Sequence, residues 1–166
     1  MGILRARETR RLAQARDIDA AFNAEYASQR ARAVGKIKNQ SVLGALALGA
    51  DNPTRARVAA VERLKGSGML MSIAQDYSEN SEVRAAAIRR MGGRITVRGR
   101  VLASLAGDTR NPTNVRLAAL EGIRDPGFLR GVSERESDPL IKGAAAARLD
   151  FLRELNDIAR TQALYL

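Results

Sequence analysis

The phrase VRLAALEGI, at 115 to 123, is said again as ARVAAVERL at 56 to 64, VRAAAIRRM at 83 to 91 and IKGAAAARL at 141 to 149. A repeat of this kind constrains a fold more than any single motif, because a short unit that cannot bury its own apolar face must stack on its neighbours. Aligned on one basic residue, the pattern is basic-x-x-Ala-[Val/Ile/Leu/Ala]-x-x-[Leu/Ile/Met]. It starts at Arg30, Arg57, Arg84, Arg116 and Lys142, at intervals of 27, 27, 32 and 26 residues. Offsets 0, +3, +4 and +7 share one face of an α-helix, so each copy predicts an amphipathic helix, B. A second helix, A, precedes it. Leu43 and Leu46, Leu70 and Ile73, and Leu102 and Leu105 lie 14 and 11 residues before their anchors, and Leu129 and Val132 lie 13 and 10 before theirs.

All four prolines follow Asn or Asp, at Asn52-Pro53, Asn111-Pro112, Asp125-Pro126 and Asp138-Pro139. Such a pair predicts a helix start with the first residue as N-cap and Pro in the first turn, and Asn80-Ser81 serves the same purpose without Pro. Gly66, Gly68, Gly92, Gly93 and Gly127 fall between B and the next A, where chains leave helices. The expected fold is all-α: an α-solenoid of about five two-helix repeats forming a single domain over 1–166. Repeats occupy 28–149. An N-terminal capping helix lies within 1–27, with Leu12, Ala15, Ile18, Phe22 and Tyr26 on one side over 8–27. A second capping helix, 150–166, keeps Leu155 and Ile158 in the A register.

Composition narrows the chemistry. Hydrophobic residues make up 45% but aromatics only 4%, so the core is built from Ala, Leu, Ile and Val, an alphabet that suits helices. The chain has neither Cys nor His. Disulfides, thiol nucleophiles, imidazole bases and the common zinc and haem ligands are thereby removed, and no catalytic residue, metal or cofactor is expected. The longest uncharged run, Asn39 to Ala50, is 12 residues, short of the ~20 that cross a bilayer. Arg5, Arg7, Arg10 and Arg11 have no long apolar core behind them, unlike a secretory signal. A soluble, cytoplasmic protein without a membrane partner is the expectation. Met1-Gly2 with Ala6, and the sequon Asn39-Gln40-Ser41, read as chance matches.

The stretch IRDPGFLRGVSERESDPLIKGAAAARL, 123 to 149, resembles a HEAT-like repeat of the short kind also found in phycobilisome lyases: a DP turn, an apolar A helix, a second DP, then a basic residue and an Ala-rich B helix. The resemblance spans roughly residues 28 to 160. It implies a scaffold for binding proteins, with nucleic-acid binders and enzymes as rarer members. HEAT repeats often pair the B-helix Arg with an Asp six residues earlier; Asp51 and Arg57 fit, whereas Ser78, Arg110 and Glu136 occupy that offset elsewhere.

Two basic rows follow from the register. The anchors Arg30, Arg57, Arg84, Arg116 and Lys142 lie on the apolar stripe in the first turn of B, where the helix dipole disfavours a cation by about 0.3–1 kcal/mol. A structural ladder bonded to carboxylates or carbonyls of adjacent units is the expected compensation. Six residues on come Lys36, Arg63, Arg90, Gly122 and Arg148, on an arc turned away from that stripe. Arg32, Ala59, Ala86, Ala118 and Ala144 share this arc, so the row reads as a basic track over an alanine floor, facing the concave side that B helices line in the resembled family. From the end of B to the first A-helix Leu the spacing is six residues at Ile37–Leu43, Leu64–Leu70 and Ile123–Leu129, but eleven at Met91–Leu102. The extra five lie in GGRITVRGR, 92 to 100, which sets Arg94, Arg98 and Arg100 beside Arg89 and Arg90.

The formal net charge is +10, distributed as +5 over 1–40, 0 over 41–80, +6 over 81–120 and −1 over 121–166. Asp150, Glu154 and Asp157 form a carboxylate row beside Arg153 and Arg160, read as surface ion pairs. Lys36, Arg63, Arg89, Arg90, Arg94, Arg98, Arg100 and Arg148 are therefore the candidate partner-binding residues. A non-catalytic scaffold for an acidic protein or peptide is the leading expectation. A binder of nucleic-acid backbones is the alternative, weakened because Phe22, Tyr26, Tyr77, Phe128, Phe151 and Tyr165 include no evident pair on the basic row for base stacking. The remote alternative is an enzyme like the HEAT-like DNA glycosylases, whose Trp-bearing aromatic cleft with a catalytic Asp is not matched.

Overall fold

A computed structural model describes residues 2–91 and 96–163. Every regular element among them is helical: α1 Gly2–Asn23, α2 Ala27–Val34, α3 Gln40–Leu48, α4 Thr54–Arg63, α5 Ser67–Gln75, α6 Ser81–Met91, α7 Thr96–Gly107, α8 Thr113–Gly122, α9 Pro126–Arg135 and α10 Pro139–Ala163. The chain divides into two compact units, Met1–Arg90 and Met91–Leu166, with the boundary beside the five extra residues.

In the first unit α1 packs on α2 and α3, α3 on α4, and α2 on α4. In the second, α7 packs on α8, α9 on α10, and α8 on α10. The even-numbered helices are the B phrases. Their +3, +4 and +7 positions are buried in order: Ala33, Val34, Ile37; Ala60, Val61, Leu64; Ala87, Ile88, Met91; Ala119, Leu120, Ile123; and, in α10, Ala145 and Leu149. Leu43, Leu46, Leu70, Ile73, Leu102, Leu105 and Leu129 supply the facing A-helix core. Burying one such side chain contributes about 1.5–3 kcal/mol, so the stripes drive helix pairing.

The helix starts divide by chemistry. Asp125 accepts from the amides of Gly127 and Phe128, with Pro126 in the first turn of α9. Asp138 accepts from Leu140 and Ile141, and Asn80 accepts from Glu82 at the start of α6. The Asn-Pro pairs depart from expectation. There the helix begins one residue later, at Thr54 and Thr113, and each Asn turns back to the preceding A helix: the side-chain nitrogen of Asn52 donates to the Leu46 carbonyl and that of Asn111 to Leu105. An amide can donate where a carboxylate cannot, which explains the split between Asn-Pro and Asp-Pro.

Both ends differ from the expected caps. α1 stops at Asn23, Tyr26 precedes α2, and both Leu12 and Tyr26 are more than half exposed, so the 8–27 stripe is not one buried face. Since α1 packs on α2, it takes the place of that helix's A partner. At 150 nothing breaks the chain: α10 runs through Asp150 as one helix of 25 residues. With neither Gly nor Pro after Gly143, no residue stops it.

Candidate functional site

The basic residues separate by what they touch. Arg57, Arg84 and Arg116 are buried, Arg84 to 2% exposure. Each points its Nε at the penultimate carbonyl of its own A helix: Arg57 to Ala47 at 2.9 Å, Arg84 to Ala74 at 3.1 Å and Arg116 to Ala106 at 2.8 Å. The cation that sits at the unfavourable end of B is thereby placed at the favourable, electronegative end of A. Arg57 also bonds Glu79, and Arg116 bonds Glu136. Arg84 stacks on Tyr77, its guanidinium 4.8 Å from the ring centroid. Glu136 is held below the usual carboxylate range by the Asp138 amide first, then by its bond to Arg116.

The ladder is shorter than its sequence register. Arg30 is half-buried and its Nε donates to Ala24, 2.6 Å away, because the helix before it is the out-of-register α1. Lys142 is exposed. Asp51 is exposed as well, and the carboxylate on Arg57 is Glu79 instead.

The second row is a row of caps in part. Arg63 donates through Nε and a terminal nitrogen to the Ile37 carbonyl at 3.2 and 3.0 Å, and Arg148 through Nε to Ile123 at 3.1 Å. Arg98 donates to Met91 at 2.7 Å. All three acceptors are the +7 residue of a B phrase, where a helix end leaves carbonyls without intrahelical donors. Burial pushes the Arg148 guanidinium below its usual value, nearby Arg124 adds to this, and Glu121 opposes it. Its guanidinium carbon also lies 5.1 Å from the Phe151 ring centroid. Arg63, Arg98 and Arg148, expected as exposed binding cations, are therefore half-buried and engaged. Lys36 is exposed, with Asp17 at 3.5 Å. The alanine floor is closed over at Ala86 and Ala118, both buried. Gly122 interrupts the row, and a Cβ there would lie 2.8 Å from Cδ1 of Leu102.

Arg89, Arg90 and Arg100 remain. All three are exposed, and among the described residues none bonds to them. Arg89 and Arg90 end α6 and, with Ala86 and Glu62 of α4, line a concavity of about 320 Å³. Arg94 lies outside the described residues. No group of three or more His, Cys, Asp or Glu side chains that could hold a metal is present among the described residues, and no described helix is long and apolar enough to cross a membrane. Comparison with protein-family models, with curated proteins and with solved structures finds no match for this chain.

Glu79 and Glu136 are ladder partners that the repeat pattern does not mark. Their only signal is position: each follows the end of an A helix and precedes the next anchor by five or six residues.

Proposed function

We propose that this chain is a HEAT-like α-solenoid that acts as a non-catalytic binding scaffold, holding an acidic protein on the exposed arginines of α6. Pairing of α1 with α2, α3 with α4, α7 with α8 and α9 with α10, and of α2 with α4 and α8 with α10, supports the repeat reading. The observation that carries the choice of partner is the concavity of Glu62, Ala86, Arg89 and Arg90. Two cations there suit carboxylates, in bidentate pairs. The Glu62 carboxylate favours a partner that offers a cation beside its carboxylates, whereas a phosphate backbone, uniformly anionic, would meet it with repulsion.

The test is capture of partners by the full chain with and without nuclease, repeated with Arg89→Ala and Arg90→Ala combined. A protein partner retained after nuclease and lost with the double variant is the expected result. Capture that vanishes with nuclease, together with binding to a 20-base-pair duplex whose salt slope shrinks by about 0.9 per arginine removed, would replace this reading with a nucleic-acid one.

A further inference from the structure

α10 carries an apolar face that its sister helices lack. Two residues before the anchor and five after it, α4 has Arg55 and Glu62, α6 has Glu82 and Arg89, and α8 has Asn114 and Glu121; α10 has Leu140 and Ala147. The same face continues as a stripe through Leu140, Ala144, Ala147, Phe151, Leu155, Ile158 and Gln162, which at 100° per residue fall within an arc of about 80°. Leu140 is 66% exposed, Phe151 45%, Leu155 47% and Ile158 54%. The residues α10 buries, Ile141, Ala145 and Leu149, lie on a different arc.

The stripe is symmetric. Its steps are 4, 3, 4, 4, 3 and 4 residues, so it reads the same in both directions from Phe151. Size is complementary about that centre. Reversed on itself at Phe151, the stripe sets Ala147 opposite Leu155 and Ala144 opposite Ile158, a small residue facing a large one in each layer. Self-complementarity is what a two-fold contact between identical chains requires.

We propose that α10 pairs antiparallel with α10 of a second copy of this chain, the two-fold axis passing at Phe151. The stripe covers 23 residues, whose 22 steps of 1.5 Å give about 33 Å. If each open large side chain has roughly 100 Å² to cover, two helices bring about 800 Å² of them, and the alanines and flanking stems carry the total past the ~1,000 Å² at which specific interfaces begin. An interface of that size gives a concentration-dependent dimer. Charge favours the same orientation. Residues 150 to 166 carry Arg153 and Arg160 against Asp150, Glu154 and Asp157, net −1, whereas the rest of the same unit, residues 91 to 149, carries +4, ten basic residues against six acidic. Antiparallel pairing keeps those cationic bodies at opposite ends of the contact and opposes the two helix dipoles, whereas parallel pairing sets them side by side.

Sedimentation equilibrium of the full chain tests this directly. The mass is expected to rise with concentration from 18.0 kDa to twice that value, and more readily as salt screens the like-charged bodies. Leu155→Glu should weaken the dimer at least tenfold while leaving the circular-dichroism melt of the monomer in place, since the side chain is half exposed. Ala147→Leu separates this register from general stickiness: it sets Leu against Leu155 of the second copy and should weaken the dimer. In a chain with no cysteine, Phe151→Cys should oxidise to a covalent dimer and Ile158→Cys should not, being opposite Ala144. A chain that stays at 18.0 kDa, a dimer indifferent to Leu155→Glu, one strengthened by Ala147→Leu, or cross-linking through Ile158→Cys would each overturn the proposal.

Discussion

A buried arginine is retained only when its donors find acceptors, and here the acceptors are supplied twice over: by the end of the A helix and, for Arg57 and Arg116, by a glutamate 22 and 20 residues further on. Charge-assisted bonds of this kind contribute about 1.5–3 kcal/mol each. The anchors are legible in the sequence because their offset to the apolar stripe recurs. Their glutamates are not, because a bond across 20 residues depends on which helices stack, and sequence spacing does not state that. The Glu136 carboxyl is depressed in the folded protein, so it binds its proton more weakly there than in the unfolded chain. Its contribution is present above its ordinary value of 4.5 and is lost as pH falls through the lower folded value. Urea unfolding at pH 7 and pH 3 should show that Glu136→Gln costs stability at the higher pH and little at the lower. Equal losses at both would mean that the carboxylate's charge is not what Arg116 uses.

At the scale of the element, the B phrase announces its helices because apolar spacing is local, and the Asp-Pro pairs announce their starts because a cap bonds its own next turn. The Asn-Pro starts escape the sequence because whether a side chain caps forward or turns back depends on the helix packed before it, whereas the unbroken α10 is legible in the lack of Gly and Pro after Gly143, a signal that the A register of Leu155 and Ile158 masks. Gly122 shows how packing overrides a row. A methyl at Gly122 would crowd Leu102, so Gly122→Ala should destabilise by about 1–3 kcal/mol in urea unfolding despite its better helix propensity. Gly68 is the control. A methyl added there, in α5, would meet nothing within 4 Å, and Gly68→Ala should add stability of about 0.5–1 kcal/mol. A neutral Gly122→Ala would mean that Leu102 yields and that the gap in the row is not a packing requirement.

For the whole molecule, helical content is legible in the sequence, and the division into two units is marked there only by the five extra residues beside it, since the repeat phrase continues on both sides. The candidate surface is half legible. Charge and insertion point to Arg89, Arg90 and Arg100, but register cannot show that Arg63, Arg98 and Arg148 serve helix-end carbonyls. Salt should act in opposite senses on the two proposed associations, weakening an acidic partner's hold on the arginines and strengthening pairing between cationic copies. Titrations from low to high salt, read by partner binding and by sedimentation, check both signs. The arginines themselves fall into two populations, one holding the fold and one free to bind. Urea unfolding separates them, comparing Arg84→Ala with the combined Arg89→Ala, Arg90→Ala and Arg100→Ala variant. A loss of about 1–3 kcal/mol for the first and a change within about 0.5 kcal/mol for the second is expected. A neutral Arg84→Ala beside a strongly destabilised triple variant would contradict the division.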